Sequence, residues 1–216
     1  MEKKRFIGCW NKSVILTYIG VALSVLGILE LLMHNNLKLA LTCLILAGIC
    51  DMYDGTVARM CKRTDEEKQF GVQIDSLADV ICSVIFPVII YFHSVEINEN
   101  IRQTINSELL TVVIGAIYSI CGISRLAWFN IKTANTETKT EYYTGLAVTF
   151  IALILPVMHL VGFIFDLCNL TYYLTMLITA IMFVGNFKVK KPGKVTYIIF
   201  LILAVIAITM IQIFIK

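Results

Sequence analysis

The chain has 216 residues, of which 58% are hydrophobic and 15% charged, with a formal net charge of +3 and a mean hydropathy of +0.83. Ordinary soluble domains are about 45–50% apolar and about 25% charged, so this composition excludes a soluble globular domain and places the chain in lipid. The seven cysteines form no CxxC pair and the three histidines have no ligand-like spacing, which sets aside a disulfide framework and a zinc site. No nucleic-acid partner is expected.

A helix needs about 20 apolar residues to cross the hydrocarbon of a bilayer. In chain order the apolar runs are Val14–Met33, Leu37–Cys50, which stops at Asp51, Ile74–His93, Leu109–Ile131, Thr144–Phe165, Leu170–Val184 and Val195–Ile215. Only helices and closed barrels satisfy their backbone groups in lipid, and long unbroken runs are not the alternating pattern of a barrel. The fold expected is an all-α polytopic transmembrane bundle, seven spans by this count and six to eight within the softness of the boundaries, forming one integral membrane domain over residues 1–216. Nothing near Met33 resembles a small-residue cleavage site, so the first span is expected to be retained.

Basic residues accumulate in alternate loops. Lys3, Lys4, Arg5 and Lys12 precede the first run, Arg59, Lys62, Arg63 and Lys68 follow the second, Lys132 and Lys139 the fourth, and Lys188, Lys190, Lys191 and Lys194 the sixth. The other loops hold Lys38 and Arg102 among Glu96, Glu99, Glu108 and Asp166. The positive-inside rule then puts the N-terminus and the Arg59–Lys68 segment on the cytoplasmic side of a multi-pass cell-membrane protein. Lys62, Arg63 and the cluster from Lys188 to Lys194 would attract anionic headgroups or serve as ordinary topological anchors.

The chemistry concentrates where the second and third runs approach that side. Asp51 and Asp54 are three residues apart, and Asp75 and Asp79 four apart, so each pair shares one helix face. Carboxylates in a span are costly and need a polar cavity and partners. Four of them together, with Arg59 as the nearby cation, call for divalent cations, and oxygen-only ligands select hard ions such as Mg²⁺ or Mn²⁺. Two metals between two helices suit a pyrophosphate. Gly55, Ala58 and Gly71 leave room for a bulky ligand beside the backbone, and the planar fork of Arg59 suits a phosphate.

The pattern Asp51-x-x-Asp54-Gly55-x-x-Ala58-Arg59, then Gly71-x-x-x-Asp75-x-x-x-Asp79, resembles the signature of the CDP-alcohol phosphatidyltransferases at all eight positions. The gap of eleven residues between Arg59 and Gly71 is longer than usual in the family, so that loop, with Lys62 and Arg63, is expected to be extended. The resemblance implies a helical membrane fold, usually homodimeric, and two divalent cations, Mg²⁺ or Mn²⁺, holding the pyrophosphate of a CDP-linked lipid. In it Asp51, Asp54 and Asp75 are metal ligands. Asp79 activates the acceptor hydroxyl as the catalytic base and is also counted among the metal ligands. Gly55, Ala58, Arg59, Gly71, Lys62 and Arg63 would line the CDP-lipid site.

Further segments are similar to the phosphatidylserine synthase branch: Asp75-Ser-Leu-Ala-Asp79, Cys121-Gly-Ile-Ser-Arg-Leu-Ala-Trp-Phe-Asn130, Tyr143-Thr-Gly-Leu-Ala-Val-Thr149 and Gly185-Asn-Phe-Lys-Val-Lys-Lys-Pro192. Trp128 stands where that branch has a second arginine, and Ala147 where it has proline. The likeness implies CDP-diacylglycerol and L-serine as substrates. An arginine inside a span needs an anionic partner. Arg125 would pair with the serine carboxylate or with one of the aspartates. The rival readings are a sister enzyme taking glycerol phosphate or an inositol phosphate, and a non-catalytic cation transporter. A phosphate-bearing acceptor would want several cations near the site, and a transporter leaves Gly55, Ala58, Arg59 and Gly71 unexplained.

Overall fold

The computed structural model describes residues 8–96, 105–135, 142–190 and 193–215. Lys3, Lys4, Arg5, Glu99, Arg102, Lys139 and Lys191, used above to orient the chain, lie outside the described residues.

A short 3-10 turn, Lys12–Val14, leads into α1, Ile15–His34, which is joined to α2, Leu37–Met60, by two asparagines. Asn35 takes the left-handed conformation at φ 53°, which asparagine tolerates, and the Asn36 side chain accepts from the Leu39 N–H at 3.1 Å to cap α2. The two helices form an antiparallel hairpin. The chain then turns into α3, Asp65–Asp79, through a capping box between Thr64 and Glu67.

Beyond Asp79 the same helix continues through a π segment, Val80–Ile85, into α4, Phe86–Glu96. Pro87 has no N–H to offer the Ser83 carbonyl four residues back. The Tyr118 hydroxyl, from α5, donates to that carbonyl at 2.7 Å. α5 is Ile105–Asn135. A strand β1, Tyr142–Thr144, and a 3-10 turn, Val148–Phe150, precede α6, Ile151–Ile164. Then come α7, Cys168–Val184, strand β2, Lys188–Lys190, and α8, Lys194–Phe214.

Counting α3, the π segment and α4 as one rod, seven helical rods correspond to the seven apolar runs. Four are long and apolar enough to cross a membrane: Lys12–His34, Asp65–Val95, Glu108–Lys132 and Val195–Phe214. Val148–Ile164 and Cys168–Val184 are shorter apolar helices. This is an all-α membrane fold. α2 runs past the end of its apolar run at Cys50 to Met60, carrying Asp51 and Asp54 on helical backbone as their spacing implies. Two features differ from the sequence expectation. The first is the loop before α3, which is not extended but only the four residues 61–64, because most of the gap between Arg59 and Gly71 is taken up by the first turns of α3. Thr144, expected inside a span, lies in β1, which pairs antiparallel with β2 so that Thr144 faces Lys188.

Between helices in lipid, association depends on close packing of small residues more than on burying apolar area. Gly48 shows this, since a Cβ there would collide with the Ala152 methyl of α6. Around such contacts Phe86, Tyr91, Tyr118, Tyr172 and Phe183 are fully buried. The C-terminal ends of α2, α5 and α7 gather with the start of α8 at one end of the bundle. There the Lys132 Nζ bonds Thr144 at 3.0 Å and lies over the Trp128 ring at 5.3 Å.

Candidate active site

The α1–α2 hairpin brings Thr17 opposite Asp54, and the Thr17 hydroxyl donates to Asp54 Oδ2 at 2.8 Å. At the start of the α6 segment the Thr149 hydroxyl donates to Asp51 Oδ2 at 2.5 Å. α3 runs alongside, placing its carboxyl groups against those of α2, Asp75 on Asp54 and Asp79 on Asp51. Asp54 is buried and the other three are half-buried. Oxygen atoms of Asp51, Asp54 and Asp75 lie within 4.8 Å of one another. Asp79 sits one turn further along α3, outside that trio.

Carboxyl groups in mutual contact cannot all be ionised without a cation among them. The trio supplies only oxygen donors, which is the chemistry hard divalent ions take. The residues present therefore fit such a cation.

A cavity of about 230 Å³ opens at this cluster. Of the residues predicted for the site, Asp51, Asp54, Gly55, Arg59, Asp75, Asp79 and Arg125 all line it. Ala58, Gly71, Lys62 and Arg63 do not. Gly71 instead lies beside the Arg63 guanidinium, 3.7 Å from where its Cβ would be, so the room left by this glycine is taken by a side chain of the preceding loop. Lys62 is exposed. Arg59 is exposed and donates to Thr56 Oγ1 at 3.0 Å, with its head beside Gly55.

Arg125 is buried, its Nε donating to the Leu146 carbonyl at 3.1 Å and its guanidinium 5.7 Å from the centre of the Phe129 ring. The acceptor carbonyl is held in turn by the end of α7. Gly145 N–H donates to the Phe187 carbonyl at 2.8 Å and Leu146 N–H to the Met182 carbonyl at 3.0 Å. Gly145 has φ +74°, and a Cβ there would stand 2.8 Å from the Phe183 carbonyl, so only glycine makes this turn without strain. A further link, Ser76 Oγ donating to Asn130 Oδ1 at 3.0 Å, ties α3 to α5 beside the carboxylates.

Sequence reasoning assigned no role to Thr17, Thr149 or the α8 residues Thr196, Tyr197 and Phe200, which also line the cavity in the case of all but Thr17. Thr149 lay within a segment already marked by resemblance. Thr17 carries no local signal, because it is one threonine in an apolar helix until the fold sets it against Asp54.

An all-α membrane bundle whose paired aspartates converge from two consecutive helices on one cavity defines a class. Residues 10–185 match the CDP-alcohol phosphatidyltransferase family, and the chain belongs to it. It is similar to an archaetidylserine synthase of Methanothermobacter thermautotrophicus, 29% identical over 69% of this chain and 55% of that protein. It is also similar to a CDP-diacylglycerol–serine O-phosphatidyltransferase of Saccharomyces cerevisiae, 34% identical over 56% of this chain and 43% of that protein. The chain thus spans about half the length of these two relatives. A third relative, the CDP-diacylglycerol–serine O-phosphatidyltransferase of Methanocaldococcus jannaschii, is 27% identical over 88% of this chain and 81% of that protein.

Proposed function

We propose that the chain transfers the phosphatidyl group of CDP-diacylglycerol to L-serine, giving phosphatidylserine and CMP. The observation that carries this reading is the meeting, in one cavity, of the family's four aspartates with the buried Arg125. The names of the relatives support serine as acceptor.

In this reading Asp51, Asp54 and Asp75, joined by Asp79, would hold two divalent cations, Mg²⁺ or Mn²⁺. When bound, these neutralise the pyrophosphate and make CMP a better leaving group. Arg59 binds a donor phosphate through its planar fork, with Gly55 leaving the backbone open beside it. The Arg125 guanidinium takes the serine carboxylate in a charged hydrogen bond. Asp79 accepts the proton of the serine hydroxyl as that oxygen bonds to the lipid-side phosphorus and the phosphorus–oxygen bond to CMP breaks. Thr17 and Thr149 hold the carboxylates of Asp54 and Asp51 in orientation. The whole is one integral membrane catalytic domain, homodimeric, in the cell membrane with the cavity at the cytoplasmic face, where basic residues gather.

The test is an acceptor screen with purified protein, CDP-diacylglycerol and Mn²⁺, offering serine, glycerol phosphate or inositol phosphate separately and measuring CMP release. Serine-dependent release is expected. Release with glycerol phosphate or inositol phosphate and none with serine overturns the acceptor. No release with any acceptor overturns the reaction and favours a cation transporter.

A further inference from the structure

The cavity has two unlike walls. The ionic one comes from α2, α3 and α5 and carries the aspartates, Arg59 and Arg125. The other comes from the turn before α6 and from the first turns of α8, and it presents Val148, Phe150, Tyr197 and Phe200 with only the neutral hydroxyls of Thr149 and Thr196 among them. α8 begins after residue 185, where the match to the family ends.

The construction of α8 explains why it can serve as a wall. Phe200, Ala204, Ala207 and Ile211 are buried at helical spacing and seat the helix on α2 and α6. Its first turns are fixed by two ring contacts. Tyr197 lies 5.9 Å from Tyr53 of α2, and Phe200 meets Phe150 edge-on at 6.1 Å. The opposite face is apolar and exposed, with Val195, Ile198, Ile199 and Ile202 each more than half open. One helix thickness therefore separates the cavity from the exposed apolar surface that faces lipid. Tyr197 is half-buried, and its hydroxyl makes no hydrogen bond to the described residues.

A CDP-linked lipid is two-sided in the same way, with a charged pyrophosphate at one end and a glycerolipid that must stay continuous with the bilayer at the other. Placing the charged half on this wall would give a phosphate only neutral hydroxyls in place of its water, which is costly, whereas the ionic wall carries Arg59 and Arg125. We infer that the first turns of α8, through Tyr197 and Phe200, form the subsite for the glycerolipid half of the donor, with the Tyr197 hydroxyl available to an oxygen of the lipid's linkage region. This rests on the donor proposed above. The ring of Phe200 packs on the glycerol and first chain carbons. Tyr197 is a specificity residue for the lipid and stands apart from serine binding and proton transfer.

The experiment compares wild type with Tyr197→Phe, Tyr197→Ala and Phe200→Leu in mixed micelles, measuring KM for CDP-diacylglycerol, KM for serine, and inhibition by CMP, which has a nucleotide but no lipid. Tyr197→Phe keeps the ring contact with Tyr53 and guards against loss of fold. Losing one neutral hydrogen bond is worth about 1 kcal/mol, so Tyr197→Phe is expected to raise the CDP-diacylglycerol KM about five-fold, with Tyr197→Ala and Phe200→Leu raising it further. The serine KM and CMP inhibition stay unchanged. Weakened CMP inhibition overturns the inference, because the wall then faces the nucleotide. A shifted serine KM, or no shift in any constant, overturns it as well. A wild-type protein that releases no CMP with any acceptor strikes the proposed reaction itself, so the two failures are distinct.

Discussion

At one end of α5 the Thr111 hydroxyl meets that of Tyr173 at 2.9 Å, and beside it Tyr172 shares a hydrogen bond of 2.9 Å with His159 Nδ1. Some 21 Å further along the same helix, at about 1.5 Å per residue, Arg125 lines a cavity with four aspartates. Both ends keep polar groups out of water. At the first, hydroxyl and imidazole groups complete one another and neither pair lines the cavity. At the second, four carboxyl groups press on one another with Arg59 and Arg125 as the cations lining the same cavity. Burial of polar atoms alone therefore does not mark a site in this molecule. What marks it is a charge imbalance that opens on space.

The sharpest way to break this contrast is to remove charge from the crowded end. Asp75→Ala, or treatment with a chelator, is expected to cut CMP release by about a thousandfold or more, since metal stabilisation of transition-state charge is worth several kcal/mol and each 1.36 kcal/mol is tenfold. The variant should still insert and purify, and Mn²⁺ should restore the chelated wild type. Near-normal turnover in either case would put the carboxylates in the same structural category as the hydroxyl end.

Arg125→Ala is expected to lower kcat/KM for serine roughly ten- to two-hundred-fold, the worth of a charged hydrogen bond of about 1.5–3 kcal/mol. The KM for CDP-diacylglycerol should hold, as should slow hydrolysis of CDP-diacylglycerol. Arg125→Lys keeps the charge but loses the fork and should fall between. Loss of CDP-lipid binding as well would make Arg125 a partner of the aspartates and not of the acceptor.

Thr149→Val should raise the Mn²⁺ concentration for half-maximal activity about tenfold, the lower part of the usual range for a group that orients a metal ligand. A metal titration unchanged by this substitution would show that Asp51 needs no such support.

Tyr172→Phe, at the quiet end, should leave turnover and metal dependence unchanged. It leaves a buried imidazole nitrogen unpaired, so stability should fall by roughly 1–3 kcal/mol, visible as a lower melting temperature in detergent. An activity loss without a stability loss would contradict the division drawn between the two ends.

Much of the crowded end was legible in the sequence, because its residues come in short local patterns. Asp51 and Asp54, or Asp75 and Asp79, fall on one face by helical arithmetic alone. Arg125 stood out as an arginine in an apolar run. The partners that hold these groups were not legible. Thr17 reaches Asp54 across 37 positions and Thr149 reaches Asp51 across 98, and no local rule encodes such distances. The apolar run ends at Asp51 while α2 goes on to Met60, since the hydropathy of a residue says nothing about whether its face turns to lipid or to a polar cavity. The start of α3, nine residues before the apolar run at Ile74, went unread although Thr64 and Glu67 are spaced as a capping box. The β1–β2 pairing gave no apolar-pattern signal, because three-residue strands are too short for alternation to register.

The π segment between Asp79 and Phe86 sets the phase of a helical wheel. An α-helix turns about 100° per residue, and a π turn accommodates one residue more than the regular spiral would hold. The wheel that aims Asp75 and Asp79 at α2 is therefore offset by about one step from the wheel that buries Phe86, Ile90 and Tyr91. Deleting a single residue between Val80 and Ile85 would bring the two wheels into step and swing one half against the other by about 100°. Either the carboxylates would leave their partners or the aromatic rings would leave the core. A reading-length change in this stretch would thus undo the site while every residue of the site remained in place, and the count of residues from 80 to 85 is as much a part of the chemistry as the aspartates that precede it.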